Sequence, residues 1–102
     1  MPVAYAVVIR EKTRNTVKLE EYRKMIPAIF QKHPATFLAI HGRSEVLEGP
    51  KSEDIIIIEF PSYEAAQAWY HSTEYQEACE HRFQGGDYRF IITEGKVSRP
   101  NN

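Results

Sequence analysis

Apolar and polar positions alternate along the chain in blocks whose period switches between that of a strand and that of a helix. The β-branched run Val3 to Arg10 predicts a first strand, and a helix is expected after Asn15 or Thr16, whose side chains suit an N-cap. Pro27 lies inside this helix and predicts a kink or short break near Met25 to Pro27. One buried face, at a period near 3.6 residues, is formed by Leu19, Tyr22, Ile26, Ile29, Phe30 and His33.

The next segment, which begins ATFLAIHG, returns to the alternation of a strand. Phe37, Ala39 and His41 are expected on one face of it, with Leu38 and Ile40 on the other. The glycine that follows His41 predicts a bulge, because glycine inside a strand packs nothing and permits a bend.

The remaining chain predicts a buried strand, a bent helix and a last strand. Ile55 to Phe60 is apolar on both faces, which is typical of an interior strand. A helix is expected directly after it, and the capping box Thr73 to Gln76 predicts a break near Ser72 followed by a restart. Gly85 to Asp87 should end the helix, and Tyr88 to Gly95 should form the final strand.

The resulting order, β-α-β-β-α-β, predicts an α+β, ferredoxin-like protomer with a four-stranded antiparallel sheet and both helices on one face. Residues 1–95 are expected to form a single domain, and residues 96–102 a polar tail. Because the strands are apolar on both faces, the face without helices needs a cover. A second copy related by a twofold axis is the simplest one, so a homodimer is predicted.

Composition narrows the classes of partner. The 13 Lys and Arg residues are scattered among 14 Asp and Glu, so no basic stripe is available for nucleic acid. No apolar run reaches the roughly 20 residues of a membrane helix, and the first residues lack a secretory pattern, which favours a cytoplasmic protein without membrane contact. The single cysteine, Cys79, excludes an internal disulfide and a cysteine-rich zinc site.

The stretch Trp69 to Phe83 concentrates histidine, cysteine and glutamate as a metal site would. Successive helical residues lie about 100° apart, so Cys79 and His81 point away from each other. Glu77 and His81 share a face, but two ligands do not complete a metal site. We therefore expect no metal and no cofactor, and interpret Cys79 as a small buried thiol and the acidic residues as a solvated face.

Two further residues are candidates for chemistry. His41 can serve as a general base near neutral pH if it is half-buried at a sheet face, and the alternative is a core histidine bonded to backbone or to a tyrosine. Glu59 interrupts an apolar strand, so it is either a site carboxylate or a residue at the wet end of that strand.

Aromatic and cationic residues are expected to line a cleft between helices and sheet, where they suit a small organic anion. Packing alone also explains the aromatic residues. The cleft residues are Tyr22, Arg23, Trp69, Tyr70, Tyr75 and Arg82.

Four segments carry a family resemblance: EEYRKMIPAIF, FLAIHGRSEVLEG, IIIIEFPSYEAAQAWYHSTEYQEA and YRFIITEG. Together they resemble the bacterial domain-of-unknown-function family 1330, within the dimeric α/β-barrel superfamily. The resemblance spans Ala4 to Gly95, and its most specific pieces are the Tyr22-Arg23 pair, EFPS, AWYHSTEY and Arg82. One departure is His41 and the glycine after it, where the family commonly has two glycines.

The resemblance implies a ferredoxin-like protomer whose sheet pairs with that of a second protomer in a closed barrel. Superfamily relatives include cofactor-independent monooxygenases, haem-degrading enzymes, isomerases and polyketide cyclases, so the resemblance selects no single reaction.

We expect a homodimer that binds a small aromatic or carbonyl-bearing ligand. If it is a cofactor-independent acid/base or oxygenase-type enzyme, we expect His41 as the base, Tyr22 or Tyr75 as a hydrogen-bond donor, and Arg23 or Arg82 to hold an anionic group. The alternatives are a non-catalytic binding or assembly module, which predicts a filled cleft, and a haem-binding protein. Ligand contacts are expected from Arg23, Glu59, Trp69, Tyr75 and Arg82.

Overall fold

The structure, a computed structural model, describes residues 2–96. The predicted tail therefore lies outside the described residues beyond Lys96. The observed element order matches the predicted one, with the second helix divided into two. The elements are β1 (Ala4–Thr13), α1 (Thr16–Lys32), β2 (Thr36–Ile40), β3 (Asp54–Phe60), α2 (Tyr63–Tyr70), α3 (Thr73–Gly85) and β4 (Gly86–Glu94).

All four strands form one antiparallel sheet in the order β2-β3-β1-β4. β3 is an interior strand, as its doubly apolar sequence predicts. The helices pack on the face that carries Ala6, Val8 and Ile58, all of which are buried. This is the predicted α+β, ferredoxin-like architecture.

The opposite face of the sheet is apolar and carries no helix within residues 2–96. Val7 of β1 lies between Ile57 of β3 and Ile91 of β4 in the hydrogen-bonded ladder, and Ile9 pairs with Ile55. Ile91 is 45% exposed. Alternate residues of the central strands thus serve two different surfaces, one under the helices and one open.

The predicted alternation along β2 is wrong. The register shifts between Phe37 and Ala39, so Leu38 is an additional residue in the ladder. Phe37 pairs with Ile58 on the helix face, whereas Ala39 pairs with Ile57 on the open face. An edge strand tolerates such a bulge because only one of its sides is hydrogen-bonded. The bulge lies earlier in the chain than the glycine that was expected to mark it.

Side-chain caps define the helix starts. Asn15 Oδ1 accepts the Lys18 N–H at 3.2 Å and caps α1, as predicted. The break before α3 is confirmed, and its cap is Ser72, whose Oγ accepts the Tyr75 N–H at 3.2 Å. Of the kink or short break expected near Met25 to Pro27, the break is wrong, because α1 continues through Pro27. Pro27 is an exposed residue, and it removes one backbone hydrogen bond of the helix.

Trp69 lies at the centre of the core and is 1% exposed. Its ring centroid lies 5.6 Å from that of Phe30, 5.1 Å from Phe60, 4.5 Å from Tyr75 and 6.3 Å from Phe90. Aromatic pairs at these distances contribute about 0.5–1.5 kcal/mol each beyond their buried area. Rings from four other elements therefore meet at one residue of α2.

Candidate functional site

A cavity of about 200 Å³ lies between the helices and the sheet. The cleft is therefore not filled by side chains. An engineered apolar cavity of about 150 Å³ accepts benzene, so this one has room for a single substituted ring. Its lining consists of Val8, Arg10, Tyr22, Arg23, Ile26, Pro27, Phe30, Phe37, Ile40, His41, Asp54, Ile56, Ile58, Trp69, Tyr75, Tyr88 and Phe90.

His41 stands at the rim of the cavity and is held by a carboxylate. It follows β2 directly and has a φ of 55°, so the expectation that it continues the strand is wrong. Its Nδ1 is hydrogen-bonded to Oδ2 of Asp54, the buried first residue of β3. The side chain of His41 is 53% exposed, which does not fit a core histidine.

The contact with Asp54 determines which nitrogen of His41 is basic. A carboxylate accepts a hydrogen bond from Nδ1–H, which places the remaining lone pair on Nε2. Nε2 makes no hydrogen bond to any residue that the structure describes. An imidazole held in this way is oriented to take a proton, and the carboxylate stabilises the imidazolium that forms.

Tyr22 and Tyr75 form a hydroxyl pair in the cavity wall. Their hydroxyl oxygens lie 2.7 Å apart, and their rings meet edge to face with centroids 6.2 Å apart. Burial raises the pKa of both hydroxyls above the ordinary tyrosine value, and the positive charge of Arg82 offsets only part of that increase. Both side chains are therefore hydrogen-bond donors that do not ionise at neutral pH.

Arg82 lies behind this pair and does not line the cavity. It is 4% exposed, its Nη2 lies 3.5 Å from Cys79 Sγ, and its guanidinium carbon lies 4.1 Å from the Phe90 ring centroid. Cys79 itself is fully buried, as the helical pattern predicts.

Trp69 and Arg23 lie in the cavity lining as expected. The buried Nε1–H of Trp69 has no hydrogen-bond partner among the described residues. Arg23 is at the rim, with a side chain 45% exposed and Nη1 2.8 Å from Glu20 Oε1. The ring of Trp69 therefore forms part of the cavity wall, and Arg23 can reach a molecule at the rim.

Glu59 is separated from the other candidates. It pairs with Tyr5 and Thr36 on the helix-free face of the sheet, so it cannot reach the cavity. The carboxylate that meets His41 is Asp54, five residues earlier and on the opposite face of the same strand.

Sequence reasoning missed two charged residues of the cavity lining, Asp54 and Arg10. Asp54 directly precedes the predicted strand Ile55 to Phe60, and an acidic residue at that place was a usable signal. Arg10 lies within β1, and its Nε lies 3.3 Å from Glu53 Oε1. Residues 2–96 contain no group of three or more His, Cys, Asp or Glu side chains arranged to hold a metal ion. Within the same range, no helix is long and apolar enough to cross a membrane.

Solved structures share this fold at low sequence identity. A protein of unknown function from Rhodopseudomonas palustris is 18% identical, with 95% of this chain and 85% of that chain covered and a TM-score of 0.69. A dimeric ferredoxin-like protein of unknown function from Bacteroides fragilis is 14% identical, with 90% and 95% covered and a TM-score of 0.60. SnoaB, a cofactor-independent oxygenase from Streptomyces nogalater, is 10% identical, with 98% and 99% covered and a TM-score of 0.64.

The fold and the cavity define a ferredoxin-like α+β protein with an aromatic site between helices and sheet. The family model described as domain of unknown function (DUF1330) matches residues 3–96, and the chain belongs to this family. No curated protein matches the chain.

The buried tyrosine pair generates a prediction about alkaline pH. Because the pKa of Tyr22 is higher in the folded than in the unfolded state, its contribution to stability is complete below the unfolded value of about 10 and is lost as the pH rises above it. We expect Tyr22→Phe to leave the tyrosinate absorbance of the folded protein unchanged up to about pH 11, and to remove one tyrosine's signal after denaturation. Loss of tyrosinate signal from the folded variant below that pH would contradict the buried, protonated assignment.

Proposed function

We propose that this protein acts as a homodimer that binds a small aromatic or carbonyl-bearing molecule in the cavity and exchanges a proton with it at His41, without a cofactor. The observation that carries the proposal is the His41–Asp54 pair at the rim of an aromatic cavity. A general base positioned in this way contributes about 10²–10⁴-fold to the rate of proton transfer.

The cavity suits a single flat ring. Phe30, Trp69 and Phe90 provide ring faces in its wall, and stacked or tilted contacts with an aromatic ligand are favourable. The hydroxyl pair of Tyr22 and Tyr75 provides polar contacts that orient a ligand in a mostly apolar pocket.

The proposed proton transfer uses two groups of the cavity lining, His41 and Tyr22. His41 Nε2 removes a proton from the carbon next to a carbonyl group, and Asp54 stabilises the imidazolium that results. Tyr22 donates a hydrogen bond to the carbonyl oxygen, on which negative charge develops. The fold of SnoaB supports the absence of a cofactor by analogy only, because this fold hosts several chemistries.

The homodimer is supported by the open face of the sheet. The row around Val7, Ile57 and Ile91 is apolar, and burying it would remove that area from water. The fold neighbour from Bacteroides fragilis is dimeric. A second copy seated on this face is the occupant that matches both observations.

The second candidate function is a dimeric module that binds a ligand without chemistry. The side chain of His41 is 53% exposed, which favours this alternative, because contact with water weakens the electrostatic interactions that make a base effective in a closed active site. The two candidates share the cavity and the dimer, and they differ only in whether His41 moves a proton.

The dimer is tested with a charge placed on the open face. We expect Ile91→Glu to convert the protein from dimer to monomer in sedimentation equilibrium, because a carboxylate buried in an apolar interface is strongly unfavourable. Val17→Glu is the matched control, since Val17 is a 64% exposed residue of α1 away from that face. A monomeric wild-type protein, or a dimer that tolerates Ile91→Glu as well as Val17→Glu, would refute the proposed interface.

The chemistry is tested with acetophenone, which has one ring, one carbonyl and exchangeable protons next to it. We expect the protein to accelerate exchange of those protons with D₂O, and His41→Ala to reduce the acceleration by at least about a hundredfold. Asp54→Asn should reduce it as well, because the imidazole loses its orienting carboxylate. His71→Ala, an exposed histidine outside the cavity lining, is the control. Binding of acetophenone without any acceleration would leave the non-catalytic module as the better account.

A further inference from the structure

The arginines that line the cavity are neutralised in pairs. Each arginine has a carboxylate within 4 Å, and the Asp54 carboxylate is hydrogen-bonded to His41, which is neutral in its role as a base. The pairs are Arg10 with Glu53 and Arg23 with Glu20.

Arg82 is the exception near this site. It is 4% exposed, and no carboxylate of residues 2–96 lies within 4 Å of its guanidinium. Its neighbours are a thiol and aromatic rings, with Phe90 at 4.1 Å and Tyr88 at 5.1 Å from the guanidinium carbon. Cation–π contacts stabilise a cation but do not cancel its field. A buried cation without a counter-ion is costly, and it leaves a positive potential in the cavity wall.

The hydroxyl pair lies where that potential can act on a ligand. Tyr75 and Arg82 occupy the same buried side of α3, seven residues apart, and Tyr75 reaches the cavity while Arg82 remains behind it. The two hydroxyls of Tyr22 and Tyr75 share one hydrogen bond, so one O–H proton of the pair is free to donate to a ligand oxygen.

We propose that Tyr22 and Tyr75, backed by Arg82, form an anion receptor through which the cavity selects weak organic acids, phenols and enols, and holds them as their conjugate bases. This inference rests on the proposed function, because it assumes that the cavity binds a small organic ligand. On binding, the O–H bond of the acid breaks, its electron pair stays on the oxygen that faces the tyrosines, and the proton leaves to solvent at the open rim.

The apolar remainder of the cavity determines the class of anion. A phosphate or sulfate would place several charged oxygens against aromatic and aliphatic side chains that donate no hydrogen bonds, which is unfavourable. A phenolate or enolate has one charged oxygen and an apolar body. Its shape therefore matches one donor pair at the end of an aromatic pocket.

The test compares p-nitrophenol with nitrobenzene, a neutral near-isostere that lacks the hydroxyl. Binding is followed by the fluorescence of the single tryptophan, Trp69, and ionisation by the red-shifted absorbance of the phenolate. At a pH where free p-nitrophenol is mostly neutral, we expect the bound molecule to be the phenolate and to bind at least tenfold more tightly than nitrobenzene. Equal affinities, or a bound neutral phenol, would overturn the anion receptor while ligand binding in the cavity stands. If neither probe binds, both proposals fail.

Variants of the receptor residues show which side chains cause the preference for the phenolate. Tyr22→Phe and Arg82→Met should each weaken p-nitrophenolate binding by about tenfold to a hundredfold, the range for hydrogen bonds to charged groups, with nitrobenzene binding changed far less. Arg82→Lys keeps the charge and should retain most of the preference. Tyr5→Phe, on the open face, is the control that should change neither probe. If Arg82→Met does not fold, Tyr22→Phe still decides, and an unchanged phenolate preference in that variant would overturn the proposal.

Discussion

The packing of Trp69 between the helices and the sheet is the interaction on which the rest of this structure depends. Its indole contacts the rings of Phe30, Phe60, Tyr75 and Phe90, which come from two other helices and two strands. Rigid rings that meet at tilted angles cannot fill every gap as flexible side chains do. The same cluster that joins the elements therefore also bounds the cavity, and the stability of the fold and the shape of the site are linked through one residue.

A second constraint is that two strands serve two surfaces. Along β3, Ile56 and Ile58 face the cavity while Ile55 and Ile57 face the helix-free side of the sheet. Charge is also distributed unequally, because the cations in the cavity lining are paired with carboxylates and Arg82 behind it is not. The helix side of the sheet is thus suited to chemistry, and the open side is suited to association.

The element order was predictable because the changes of hydrophobic period and the capping residues are local signals. The face of the sheet on which each side chain lies was harder to predict from the sequence. In the run Ile55 to Phe60, apolar residues occupy both faces, so the alternation does not say which face meets the helices. Glu59 was therefore a plausible cavity residue from sequence. In the structure the carboxylate of β3 that lines the cavity is that of Asp54. The same ambiguity concealed the bulge at Leu38, since its neighbours are apolar as well.

The site itself was predicted in part. Tyr22, Trp69 and Tyr75 were expected together because aromatic residues recur on the buried faces of their helices. The pairing of His41 with Asp54 spans an irregular segment between two strands, and no local pattern encodes that contact. Its geometry depends on how the chain leaves β2, which a sequence period does not specify.

The central claim is that the cavity between helices and sheet is where a small molecule binds. The most direct measurement is a titration of protein carrying ¹³C-labelled isoleucine methyl groups with acetophenone, observed by NMR. The account predicts saturable shifts at Ile56 and Ile58, caused by the ring of the ligand, and none at Ile55 and Ile57 on the opposite face of the same strand. Shifts confined to Ile55 and Ile57, or no saturable shift at all, would contradict it.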